Sequence, residues 1–267
     1  MKTRRLMFHI VATCFVVIAF IVSVGFASHK QSLMPCSGII INIQDSSGVD
    51  FVDEKDIMQI IQNKFGSLAG KSISSINISL LEKIINTNPF IYDAEVFSTI
   101  DGKLNIEVKQ RIPVLRVINY SNGSFYIDRE GIFMPPSEKY TARVPVASGF
   151  IFDKESQKKA RIYVDKESTD SLIFKTKIDQ LFNIISYTNQ SSFWNSAIEQ
   201  LYVNANGEIE MIPRVGNHIV ILGDDNFLDE KFKKLFVFYQ QGLNKKGWNK
   251  YSTINLKYKD QVVCTKK

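Results

Sequence analysis

Three histidines, three cysteines and two tryptophans are few for 267 residues, and each scarcity excludes something. A Ser-His-Asp or Cys-His site needs a histidine beside its nucleophile. His9 sits in an apolar run and His29 just beyond it. That leaves His218, alone in a strand pattern, where a histidine is ordinarily a core or surface residue. No pair of histidines or cysteines has zinc-ligand spacing. Cys14, Cys36 and Cys264 are too few for a disulfide scaffold. An oxidising compartment permits a Cys36–Cys264 bridge, but nothing in the sequence requires one. No glycine-rich phosphate loop is present. Asp224-Asp225 reads as a turn before a helix, capped by Asn226 or an aspartate, rather than as an acid–base pair. The expectation is a protein with no catalytic residues, no cofactor and no metal.

The net charge of +6 has its own pattern. Lys2, Arg4 and Arg5 carry three of the six charges. Lys257, Lys259, Lys266 and Lys267, less Asp260, carry the other three, so the interior is neutral. A nucleic-acid footprint is a basic stripe on one folded face, and charge loaded at the two ends opposes it.

The chain does have one long apolar run. Phe8–Ala27 holds no formal charge and has about the 20 residues a helix needs to cross a bilayer. Its basic flank belongs on the cytoplasmic side, so the run reads as a retained anchor with the rest of the chain outside the cytoplasm. Gly25 and Ala27 have the spacing of a signal-peptidase site, but the run exceeds the roughly 7–15 residues of a signal core. The expected layout is a cytoplasmic head at 1–7, a transmembrane helix at 8–27 and a polar stalk at 28–37.

Beyond the stalk, Gly38–Ile43 is β-branched and reads as a strand. Ile57, Ile60, Ile61 and Phe65 recur at helical spacing, with Asp53 and Glu54 where a helix dipole favours anions. A second helix carries Leu80, Leu81, Ile84 and Ile85 on one face. Asn77 caps it, or Ser79 and Glu82 form a capping box, and Asn88-Pro89 ends it. Tyr92–Thr99 and Lys103–Gln110 follow as strands joined at Asp101-Gly102, a strong hairpin signal. In the second strand Leu104, Ile106 and Val108 alternate with polar residues. The order strand, helix, helix, strand, strand makes an α+β unit whose three-stranded sheet buries one face under two helices.

A short basic head, one anchor, this element order and "NPFIYDAEVF" after the second helix resemble the POTRA domain of the FtsQ/DivIB cell-division family. "QRIPVLRV" at 110–117 is similar to the passage where that family enters its β-rich second domain. The later residues extend the resemblance. Phe125–Asp128 and Ile132–Pro135 form a hairpin around Arg129-Glu130-Gly131, and Val144-Pro145-Val146 leads to another strand. Residues 153–170 read as a loop with a short strand at 162–164. A long helix carries Phe174, Ile178, Leu181, Phe182 and Ile185. Strands at Ile198–Val203, Ile209–Pro213 and His218–Leu222 follow. The last helix points Leu228, Phe232, Leu235, Phe236 and Tyr239 inward. A closing strand runs from Tyr251 to Val263, and "INLKYKDQVV" resembles the end of Bacteroidetes-type members.

What the resemblance implies is an α+β chain. A single N-terminal transmembrane helix leads into a POTRA-like β-α-α-β-β domain (38–112). A mixed β-rich partner-binding domain with two longer helices (113–263) and a basic tail (264–267) follow. It also implies a divisome scaffold at the septum of the inner membrane, holding FtsB/FtsL-type bitopic coiled-coil proteins. The family's partner surface, carried onto this chain, falls on Trp248, Tyr251, Ile254, Leu256 and Tyr258, with Leu256→Pro expected to abolish binding and spare the fold. An outer-membrane assembly or secretion accessory factor built on the same POTRA unit is the first alternative. A periplasmic cell-wall hydrolase is the second.

Overall fold

The computed structural model describes Thr13, residues 15–20, 34–44, 48–119, 123–151 and 176–267. The anchor expected at Phe8–Ala27, the strand expected at 162–164 and Phe174 therefore lie largely or wholly outside the described residues. Among those described, no helix is long and apolar enough to cross a membrane. The chain divides into two compact units, residues 1–110 and 111–267.

In the first unit β1 (Gly38–Gln44) is followed by α1 (Glu54–Phe65), α2 (Ile78–Ile85), β2 (Ile91–Ser98) and β3 (Lys103–Gln110). The sheet order is β1-β3-β2, with β1 parallel and β2 antiparallel to the central β3. The alternation read in β3 is realised: Leu104, Ile106 and Val108 are fully buried. Ile57 and Ile61 of α1 and Leu81 and Ile85 of α2 are buried as well. Each such side chain taken from water contributes roughly 1.5–3 kcal/mol. Leu80 was expected inward with them but is exposed. Positions i and i+1 on a helix point about 100° apart, so a stripe this narrow cannot bury both Leu80 and Leu81.

The caps follow from side-chain chemistry. Asp53 accepts from the Asp56 N–H while Asp56 accepts from the Asp53 N–H, a reciprocal capping box. Asn77 caps α2 by accepting from the Leu80 N–H at 2.9 Å. Glu82 reaches the Val96 N–H instead of closing a box. The helix tightens after Ile85, with the Thr87 and Asn88 N–H groups bonded to the Ile84 and Ile85 carbonyls, and ends at Asn88-Pro89 as expected. The hairpin turn places Gly102 at φ 78°, a left-handed conformation that favours glycine. Buried Gln110 closes the unit. Its Oε1 accepts from the Phe51 and Val52 N–H groups, and its Nε2 donates to the Val49 carbonyl.

The second unit is built on one mixed sheet. Its strands are β4 (Pro113–Asn119), β5 (Gly123–Asp128), β6 (Phe133–Met134), β7 (Val146–Gly149), β8 (Ile198–Val203), β9 (Ile209–Pro213), β10 (Ile219–Gly223), β11 (Tyr251–Asn255) and β12 (Val263–Lys266). The order is β12-β11-β10-β9-β8-β7-β4-β5-β6. Helices α3 (Lys177–Asn189), α4 (Ser192–Ala197) and α5 (Leu228–Phe238) share a core with it. Ile178, Leu181 and Ile185 from α3 and Phe232 and Leu235 from α5 are buried there with Leu201, Met211 and Val220 from the strands. Thr176 and Asp179 cap α3 with a reciprocal box. Phe236 is partly exposed rather than inward, since Phe232, Leu235 and Tyr239 already occupy the buried stripe.

One expectation is overturned by the topology. Tyr251–Val263 is not a single closing strand. β11 ends at Asn255, residues 256–262 turn, and β12 returns antiparallel to it. The reversal passes through Asp260 at φ 58°, and aspartate is among the residues that tolerate this left-handed conformation.

Candidate partner-binding edge

β11 lies inside the sheet, parallel to β10 on one side and antiparallel to β12 on the other. Among the described residues β12 is therefore the edge strand at this end. An edge strand leaves alternate backbone N–H and C=O groups without a sheet partner. The Lys267 N–H donates to the Lys250 carbonyl. By strand alternation Lys266 and Cys264 turn their N–H groups to the open side. Val263, Thr265 and Lys266 are exposed.

The five residues assigned to this surface from sequence separate sharply. Ile254 and Leu256 are fully buried, and the Leu256 N–H donates to the Ile221 carbonyl at 3.0 Å. Two residues apart, their side chains lie on the same face of the sheet, the one packed on the core. Leu256→Pro would break that bond and the core together, so it cannot probe binding alone. Tyr251 is half-buried against Phe238, with ring centroids 5.8 Å apart. Trp248 is half-buried, 5.0 Å from the Tyr239 ring and 6.3 Å from His218, and its Nε1 donates to Asn244. Tyr258, in the β11–β12 connection, is 46% exposed. Trp248, Tyr251, Ile254 and Leu256 support the edge, and Tyr258 stands on the surface.

Beside the end of β11 lies a groove of about 220 Å³. It is lined by Phe227, Glu230, Lys231 and Lys234 from the α5 end and by Leu256, Lys257, Tyr258 and Lys259 from the connection. That is smaller than the roughly 300–1,000 Å³ of small-molecule sites; it fits one large side chain. Lys231 is buried and donates to the Asp224 carbonyl and carboxylate. Burial pushes the Asp224 carboxyl up, but its hydrogen bonds from Lys231 and Asn226 outweigh that and hold it below its ordinary value. Lys257 pairs with Glu208 at 2.6 Å. That contact lowers the Glu208 pKa and raises that of Lys257. Lys234 donates to two neutral carbonyls, those of Tyr258 and Leu256. Sequence reasoning missed the groove because Phe227 takes φ 53°. Its exposed ring precedes α5 in a pattern that gives no sign of that turn.

His218 is buried, and its Nε2 shares a hydrogen bond of 3.0 Å with the Tyr239 hydroxyl. Burial first, and Lys267 second, push its pKa below the ordinary value. Burial likewise raises the Tyr239 hydroxyl and the Cys264 thiol. Cys36 and Cys264 are both free thiols. Among the described residues no cluster of three His, Cys, Asp or Glu is placed to hold a metal.

A β-α-α-β-β module followed by a large mixed sheet with an open terminal edge defines a two-module α+β protein. The family model described as FtsQ/DivIB, C-terminal related, matches residues 112–265, and one described as a POTRA-like domain matches residues 34–109. The first covers more than half of the chain, so the chain belongs to the FtsQ/DivIB family of cell-division proteins. No curated protein matches it.

Proposed function

We propose that this protein is a membrane-anchored scaffold of the cell-division machinery, not an enzyme. Phe8–Ala27 anchors it in the inner membrane. The head at 1–7 is cytoplasmic, and both folded units stand in the periplasm at the septum. The 113–263 region recruits and positions other division proteins, including bitopic coiled-coil proteins of the FtsB/FtsL type. The single observation that carries this reading is the open β12 edge in a chain of this family. A partner segment adds as a further strand, drawing affinity from main-chain hydrogen bonds and specificity from alternate side chains. An anchor suits such a role, since it confines the protein to the membrane plane and fixes the height of the edge above it.

Depletion tests this reading in cells. A division scaffold gives filaments that grow without septa. Normal division with loss of outer-membrane proteins would point instead to the assembly or secretion role.

A further inference from the structure

We infer that Arg116 receives a carboxylate: a partner protein lays an aspartate or glutamate, set between aliphatic residues, on the helix-free face of the second unit's sheet. The site is six strands from β12, a distance of roughly 29 Å, and does not depend on strand addition there.

Strand alternation places it. Leu115 and Val117 of β4, Ala147 of β7, Leu201 of β8 and Met211 of β9 share the core with α3, α4 and α5. Their neighbours along each strand point to the other face. There Arg116 pairs with Val146, Val146 with Gln200 and Gln200 with Ile212, one row across four strands. All four are half-buried and keep part of their surface in solvent. On the far side of β4 the row reaches Tyr126, which is fully buried. Arg116 therefore stands where the covered part of this face gives way to the open part.

The guanidinium is held in place and yet under-used. It lies 5.4 Å from the centroid of the Tyr126 ring, and Nη2 donates to Ser124 Oγ at 3.1 Å. An arginine has five N–H donors. Among the described residues no other acceptor and no carboxylate meets this one, and its Nε is buried without a partner. Gln200, in the same row, gives its amide N–H to Ser148 Oγ at 2.8 Å instead. A buried donor without an acceptor is costly to keep. A carboxylate arriving from outside removes that cost and matches the planar fork with two parallel hydrogen bonds.

Charge and surroundings select the occupant. Tyr126, Val146, Gln200 and Ile212 are neutral, so the row holds one cation, enough for one carboxylate. A phosphate ester carries about −1.5 to −2 at neutral pH and would be left under-compensated. Ile118, Val146 and Ile212 on this face are half-buried aliphatic side chains. They suit the aliphatic neighbours of a carboxylate in a protein segment better than a hydroxyl-rich glycan.

Fluorescence anisotropy on the full-length protein tests this with two labelled peptides, Val-Ile-Glu-Ile-Val amide and Val-Ile-Gln-Ile-Val amide. Arg116→Met keeps the length of the side chain without its charge, and Arg116→Lys keeps the charge without the fork. The glutamate peptide should bind at least about tenfold tighter than the glutamine one, by a margin that shrinks with salt. That preference should vanish in Arg116→Met, weaken in Arg116→Lys and persist in Lys266→Pro. Without peptide, the urea midpoint of Arg116→Met should equal or exceed the parent's, because an unpaired, half-buried charge has been removed. Equal binding of the two peptides, failure of both to bind, or a preference that survives Arg116→Met would overturn the inference. So would a clear drop in the Arg116→Met midpoint with no preference for glutamate, which would make Arg116 a packing residue. Tighter binding of a phosphoserine peptide would overturn the carboxylate as the ligand, and tighter binding of an oligogalacturonide would overturn the protein segment as its source.

Discussion

His218 and Tyr239 meet across the core of the second unit, Nε2 to hydroxyl at 3.0 Å, while the other ring nitrogen of His218 is buried without a hydrogen-bond partner. Among the described residues Lys267 is the charge that acts on the ring, opposing its protonation, while burial keeps the Tyr239 hydroxyl neutral. Protonation would put an unsatisfied N–H and a cation in an apolar site packed under Trp248.

A pH dependence follows from that pair. The folded pKa of His218 lies below its unfolded value of about 6.5. The unfolded chain therefore binds the extra proton first as pH falls. Stability is fully present above about pH 6.5 and is lost as pH drops toward the folded value. The slope approaches roughly 1.4 kcal/mol per pH unit for one proton. Chemical denaturation between pH 8 and pH 5 measures it. His218→Phe should flatten this segment of the curve, and an unchanged slope would remove His218 as its source.

Asp128 gives a second prediction. Its side chain is fully buried, takes Arg111 Nη1 at 2.7 Å, and accepts the Glu130 and Ile132 N–H groups. Removing one partner of a buried pair costs about 3–5 kcal/mol. Asp128→Ala should fall in that range by urea denaturation, with Asp128→Asn milder because it still accepts from the turn. A loss below about 1 kcal/mol would mean the turn holds without it.

The left-handed Phe227 yields a prediction of opposite sign. A non-glycine residue there costs roughly 1–2 kcal/mol, and its ring is 73% exposed, so little burial is forfeited. Phe227→Gly should leave thermal stability equal or raise it by up to about 1 kcal/mol. A clear loss would show that the ring supports α5.

Asn77→Ala removes the side chain that caps α2. About 1 kcal/mol should be lost, read from the first unit by hydrogen exchange in α2.

Much of the first unit was legible because its physics is local. The period-2 pattern of Leu104, Ile106 and Val108 and the Asp101-Gly102 turn each report their own conformation. The Asn86 contact to Ala94 was not legible, since it is made by the fold and not by neighbouring residues. The same limit governs the second unit. Ile254 and Leu256 alternate as an edge strand would, but whether a strand lies at an edge depends on what pairs beyond it. Asp260, tolerant of positive φ, was the signal that the chain turns back. The short helix α4 went unread because Ser-Phe-Trp-Asn-Ser-Ala has too few residues to show a period, although Ser191 caps it.

The central claim is that β12 is a docking edge, and proline at Lys266 tests it most directly. The side chain is exposed and its N–H faces outward, so the substitution removes an edge donor and places a ring in the path of an incoming strand. Co-purification of the full-length protein with FtsB/FtsL-type proteins, the partners proposed for it, should fall at least about tenfold, with circular dichroism and the unfolding midpoint unchanged. Partner recovery equal to the parent protein, from a folded variant, would contradict docking at β12.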